Sequence, residues 1–131
     1  MDFGVFNLLQ HRDRSWTSHQ IIQDAMEHVQ LAEELGFSRV WFAEHHFSNY
    51  SLCPSPLILC TQAAAITRRI RIGSAVLILP LHQPARLIAE IALVDALSGG
   101  RLDVGVGSGY QHYEFARLGA DLTENKTVFN E

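Results

Sequence analysis

The chain opens on a short apolar run, Phe3 to Phe6, that ends at Asn7 and gives way to the polar stretch Gln10 to Arg14, the pattern of a strand followed by a loop. Thr17 with Gln20 three residues later suits a capping box, and apolar residues then recur at Ile21, Ile22, Ala25, Met26, Val29, Ala32 and Leu35 on one helical face. Gly36 stands where a left-handed helix cap is expected, and Arg39 to Ala43 supplies β-branched and aromatic residues for a second strand. Pro56 suits the first turn of a second helix, whose stretch from Leu57 to Thr67 is apolar nearly all round and predicts packing on several sides. Arg68 and Arg69 are expected to close it at the negative end of its dipole. Ile70 to Leu79 is continuous rather than alternating, as for a parallel strand covered on both faces, and Pro80 stops it. Pro84 opens a third helix carrying Leu87, Ile88, Ile91, Ala92, Val94 and Leu97, and Gly99-Gly100 ends it. Leu102 to Val106 makes a fourth strand, His112 to Leu118 a short helix, and Leu122 to Glu131 the start of another.

The four strands start near residues 3, 39, 71 and 102, with one helix in each interval, which is βαβ spacing within a single α/β domain over residues 1–131. Two architectures follow, a doubly wound open sheet or part of a (β/α)8 barrel. Even spacing, and no dinucleotide-binding turn after the first strand, favour parallel (β/α) units forming about half of a (β/α)8 TIM barrel, because a full barrel takes ~250 residues. The expectation is an amino-terminal half, truncated after four β/α units. Its first and last strands would keep unpaired edges, so a homo-oligomer or a partner chain that completes the barrel is expected.

Composition narrows the partners. Ten Lys and Arg against fourteen Asp and Glu give a net charge of −4 without long runs of one sign, which argues against nucleic acid or an anionic membrane surface. The longest apolar windows fall short of the ~20 residues that cross a bilayer, and no basic-then-apolar leader is visible at the start. Two cysteines, Cys53 and Cys60, are too few for a disulfide scaffold, so a cytoplasmic thiol state is the expectation.

In either architecture ligands meet the carboxyl ends of the strands, which here carry Asn7, Glu44-His45-His46, Leu79-Pro80 and Gly107-Ser108-Gly109-Tyr110. The imidazoles can move protons near neutral pH, or can serve a loop network. His82 and His112 lie on the same expected rim, yet no zinc-type spacing supports a metal site. The glycines of Gly105 to Gly109 allow backbone amides to approach a phosphate, and fit a tight strand-to-loop turn equally well. Cys60 reads as core and Trp41 as packing beneath the rim.

Several segments, in order along nearly the whole chain, resemble the bacterial luciferase-like flavin monooxygenases. They are Phe3-Gly4, Gly36-Phe37 leading to Val40-Trp41-Phe42-Ala43-Glu44-His45-His46-Phe47, Gly73-Ser74-Ala75-Val76 through Leu79-Pro80, Pro84 with Arg86, and Leu93-Val94-Asp95 through Ser98-Gly99-Gly100-Arg101. The Trp-x-x-Glu-His-His-Phe segment is the most specific of them, and the likeness is closer to the FMN-using alkanal monooxygenase branch than to the deazaflavin F420 branch. The resemblance implies a (β/α)8 barrel that binds reduced FMN and oxidises a small organic substrate, such as an aldehyde, with O2 through a C4a-peroxyflavin. A flavin reductase would supply the reduced FMN. By position, His45 matches the histidine of flavin-peroxide chemistry, with Glu44 beside the cofactor and His46 and Phe6 in the substrate pocket. Ala75-Val76 matches a non-prolyl cis peptide beside the isoalloxazine ring, and Tyr110 a position whose amide faces the flavin phosphate. Ser108 stands where many members carry Arg, which removes a charged phosphate contact. The same residues are compatible with a non-catalytic half-barrel fragment or accessory subunit that folds and oligomerises, and with an open flavodoxin-like module. Gln10 to Arg14 lacks the small hydroxyl and glycine pattern of the last.

Overall fold

A computed structural model describes residues 1–131. Strands β1 (Gly4–Asn7), β2 (Arg39–Phe42), β3 (Arg71–Ile78) and β4 (Leu102–Gly107) alternate with helices α1 (Ser18–Glu34), α2 (Pro56–Ile66) and α3 (Pro84–Ser98), and α4 (His112–Leu118) and α5 (Asn125–Asn130) follow the last strand. The strands form one parallel sheet in the order β1-β2-β3-β4. A doubly wound sheet reverses direction at a switch point, and this order has none; it is the sequential order of half a (β/α)8 barrel.

Local chemistry explains the element ends. Thr17 caps α1 with both halves of the capping box: its hydroxyl accepts from the N–H of Gln20 at 3.2 Å, and its own N–H donates to the Gln20 side chain at 2.8 Å. Beyond the helix, Gly36 takes a φ of +81° and turns the chain into β2. The core lies between sheet and helices, where Val40, Phe42 and Ile72 of the strands join the same apolar cluster as Ile21, Ala25 and Val29 of α1 and Leu57, Cys60 and Ala63 of α2. On the opposite face of the sheet, Trp41 covers Gly73, where a Cβ would come within 2.5 Å of the indole. Near the amino ends of the strands, Asp103 accepts from Arg39 at 3.1 Å and from Nε of Arg71 at 2.9 Å.

Four expectations need correction. Leu35 is exposed: it keeps helical dihedrals and bonds back to the carbonyl of Leu31, and so extends the outer face on which Leu31 is also exposed. Ile58 of α2 also faces solvent, so that helix is not packed all round. Arg68 and Arg69 do not close α2 by charge; their backbone N–H groups, with that of Ile70, donate to the carboxylate of Glu33 at 2.9, 2.6 and 2.9 Å. Burial works against ionisation of Glu33, yet these three donors hold its carboxyl below the ordinary value. Last, of the apolar positions named for α3, Leu87 and Val94 are buried whereas Ile88 and Leu97 are exposed.

Both cysteines are buried free thiols pushed up to about 12, first of all by burial, and neither is a nucleophile at neutral pH. No helix is long and apolar enough to cross a membrane.

Candidate functional site

At the carboxyl ends of the strands the chain forms a cleft of about 420 Å³. Seven of the eight residues singled out in the sequence line it: Phe6, Glu44, His45, Ala75, Val76, Ser108 and Tyr110. They come from four separate strand ends, and parallel pairing in sequential order is what brings those ends together. Leu8, Ala43 and Ile78 add to its apolar surface. The register of β3 with β4 shifts between Ser74 and Leu77, and within that irregularity the Ala75–Val76 peptide is cis.

His45 is buried, at 8% exposure, and is held from three sides. Its backbone N–H donates to the carbonyl of Cys53 at 2.9 Å, Tyr50 meets the ring edge-on with centroids 4.9 Å apart, and Nδ1 lies 3.0 Å from Oε1 of Glu114. The other ring nitrogen, Nε2, has no protein partner and is not sealed from solvent, so it is the nitrogen left for the cleft.

Glu44 has a different task. Oε1 accepts from His46 Nε2 at 2.8 Å and from His82 Nε2 at 2.9 Å, while Oε2 accepts from the N–H of Ile78 at 2.8 Å. Burial opposes its charge, but the donors from His46, His82 and Ile78 prevail and its carboxyl stays below the ordinary range. His82 in turn keeps its proton above the usual imidazole value, mainly through its hydrogen bond to Glu44. With both oxygens engaged, Glu44 ties the end of β2 to the end of β3 rather than offering a free carboxylate to the cleft. His46, expected in the substrate pocket, is not among the residues that line this cleft; its ring donates to Glu44.

The fourth wall is the segment after β4. Gly109 has a φ of +77°, and Asn125 of α5 donates to the carbonyls of Ser108 at 3.2 Å and Gly109 at 2.9 Å. Those carbonyls are thereby fixed toward α5, while the consecutive N–H groups of Ser108, Gly109 and Tyr110 have no acceptor in the protein. Sequence reasoning missed Asn125, Glu114 and the engagement of His82, since each acts across a distance in the chain that no local pattern reports. For Glu114 one signal existed: an acidic residue beside Phe115 on a short helix, both now buried.

A cleft at the carboxyl ends of sequentially paired parallel β/α units defines the barrel class of α/β enzyme sites. The chain belongs to the luciferase-like monooxygenase family, whose model matches residues 1–131. It is similar to the uncharacterised protein y4vJ of Sinorhizobium fredii, with 49% identity over all of this chain and 37% of the relative. It is also similar to the oxygenase component of flavin-dependent trigonelline monooxygenase from Acinetobacter baylyi, at 31% identity over 90% of this chain and 33% of the relative. The alkanal monooxygenase alpha chain of Photorhabdus luminescens shows 28% identity over 98% and 35% respectively. Among solved structures, monooxygenase RslO1 from Streptomyces bottropensis matches with a TM-score of 0.94 and 30% identity, covering 99% of this chain and 40% of that one. The oxygenating constituent of 3,6-diketocamphane monooxygenase from Pseudomonas putida, solved with FMN, shares the fold at a TM-score of 0.87 and 19% identity, covering 98% and 38%. A coenzyme F420-dependent tetrahydromethanopterin reductase from Methanopyrus kandleri matches at 0.68 and 27% identity, covering 90% and 30%. The chain spans 33 to 37% of the length of these curated relatives.

Proposed function

We propose that this chain is the amino-terminal, flavin-facing half of a luciferase-like monooxygenase that uses reduced FMN and O2 to oxidise a small organic substrate such as an aldehyde. The observation that carries the reading is the convergence of Phe6, His45, Ala75, Val76, Ser108 and Tyr110, from four strand ends, on one cleft.

The cleft suits FMN on two counts. Phe6, Ala75, Val76 and Ile78 offer an apolar surface for a flat conjugated ring, and three free N–H groups in a row at Ser108, Gly109 and Tyr110 suit a phosphate. Neither Lys nor Arg lines the cleft, so the phosphate would be held by neutral donors. When bound, reduced FMN supplies the electrons that activate O2 for transfer of one oxygen atom to the substrate. The chain's own residues do the rest. Val76 and Phe6 exclude water from the ring-facing wall, Glu44 with His46 and His82 keeps the ends of β2 and β3 at fixed separation, and His45 Nε2 takes up and returns a proton beside the reacting atoms.

The trigonelline relative is named an oxygenase component, which supports a separate flavin reductase as the source of reduced FMN. The buried, unpaired thiols support a reducing, cytoplasmic setting. FMN is favoured over F420 by the sequence at Glu44-His45-His46, although one F420-dependent structure shares the fold. The free outer edges of β1 and β4 support a second β/α half, from the same or another chain, that closes the cleft. Those edges equally support a non-catalytic fragment or accessory subunit.

Titration with FMN, followed by flavin fluorescence, separates the two. Saturable one-to-one binding, tightened by about 1–3 kcal/mol in Ser108→Arg, is the expected result. Fluorescence that ignores the protein would contradict the flavin reading and favour the accessory one.

A further inference from the structure

Glu114 sits on α4, fully buried, and one of its oxygens serves two donors. Oε1 accepts from the backbone N–H of His46 at 2.9 Å and faces Nδ1 of His45 at 3.0 Å. Oε2 is sealed from solvent and has no donor at all. A backbone N–H can only donate, so Oε1 accepts from His46; as a carboxylate Glu114 has no proton to give, and the ring nitrogen that meets the same oxygen is then the donor. His45 is thereby held as the Nδ1–H tautomer, with its lone pair on Nε2.

We propose that Glu114 is the positioning residue of the site: it keeps the proton on Nδ1 of His45, so that Nε2 meets the cleft as a proton acceptor, and it stabilises the imidazolium formed when Nε2 takes a proton. This rests on the reading of His45 as the proton-handling group of the flavin cleft.

Two features separate this role from packing. A residue kept for stability alone gains nothing from a buried oxygen without a donor, since that atom has given up water and received no partner. Moreover, the shared oxygen locks ring and backbone together, because the atom that orients His45 also holds the N–H of His46. Since α4 begins two residues after Tyr110, the same contact fixes the imidazole relative to the free N–H groups of the rim loop. Two parts of the cleft that come from β2 and β4 are thus set against each other by one side chain.

The tautomer is read directly by 15N NMR of histidine side chains in the full chain, without flavin. In the wild type, His45 is expected to show a protonated Nδ1 and a bare Nε2. Glu114→Gln, whose amide oxygen can take both donors, should keep that tautomer, and Glu114→Ala should shift the majority to Nε2–H. In turnover by the enzyme with its second β/α half in place, Glu114→Ala should lower kcat by about 10²-fold or more, with little change in KM. A wild-type His45 carrying its proton on Nε2 overturns the proposal, even if neither variant folds, and so does an unchanged tautomer in Glu114→Ala. A wrong tautomer sinks the positioning role and leaves FMN binding untouched, whereas failed FMN binding sinks the flavin reading and leaves the tautomer result standing.

Discussion

Gly109 carries two constraints at once. Its φ of +77° is a left-handed conformation that L side chains rarely adopt, and a Cβ there would come within 2.6 Å of Phe115 and 2.7 Å of Ile78. Gly109→Ala is therefore expected to destabilise the fold by about 1–3 kcal/mol through overpacking and strain, and to weaken any ligand held by the rim loop. A urea midpoint shifted at constant slope checks it; an unchanged midpoint would show that the loop yields. At this scale the sequence was legible where a residue's own conformation decides, as at Gly36 and Gly99, whereas the cis Ala75–Val76 bond was expected only through the family resemblance. It was not legible where the partner decides. His46 looks like a pocket residue beside His45, but a carboxylate two positions earlier claims its ring, and His45 takes its own partner from residue 114.

Elements were read well when their signals were local. The capping box of α1 is present as its Thr and Gln suggested, and Pro56 and Pro84 each stand in the first turn of a helix. Thr17→Ala should cost about 1 kcal/mol, because the N–H of Gln20 loses its acceptor, whereas Thr17→Ser should cost far less. Thermal unfolding of the two variants checks this, and equal losses would remove the cap from the account. Which apolar faces are covered was less legible. The apolar residues of α3 look like a core face, yet Ile88 is 68% exposed, because periodicity marks a face that can be buried without saying what is there to bury it. The Glu33 carboxylate on three successive N–H groups was invisible for the same reason: it joins the end of α1 to the start of β3.

For the molecule as a whole, the sequential strand order confirms the β/α spacing read from the chain. The cleft depends on a charged network that ties its strand ends together. Burial works against the charge on Glu44, but its three donors leave its carboxyl lower than the ordinary 4.5; that stability is present above 4.5 and disappears as pH falls through the lowered folded value. His82 is raised above the ordinary 6.5 by its hydrogen bond to Glu44, so its contribution is complete below 6.5 and disappears as pH rises through the raised folded value. Stability from the pair is therefore fullest from 4.5 to 6.5. His82→Gln should flatten the decline on the alkaline side, measured by urea midpoints across about pH 5 to 9. A decline of unchanged steepness would assign it to other groups.

The central claim is that the cleft between His45, Ala75-Val76 and the Ser108-Gly109-Tyr110 segment receives the flavin. Backbone amide signals followed by 1H–15N NMR during addition of FMN test it most directly. Saturable shifts concentrated at Val76, Ser108, Gly109 and Tyr110 are expected. A second cavity of about 410 Å³ lies beside α1 and is lined by Trp16 and His28 among others; shifts confined to it, or no shifts at all, would contradict the claim.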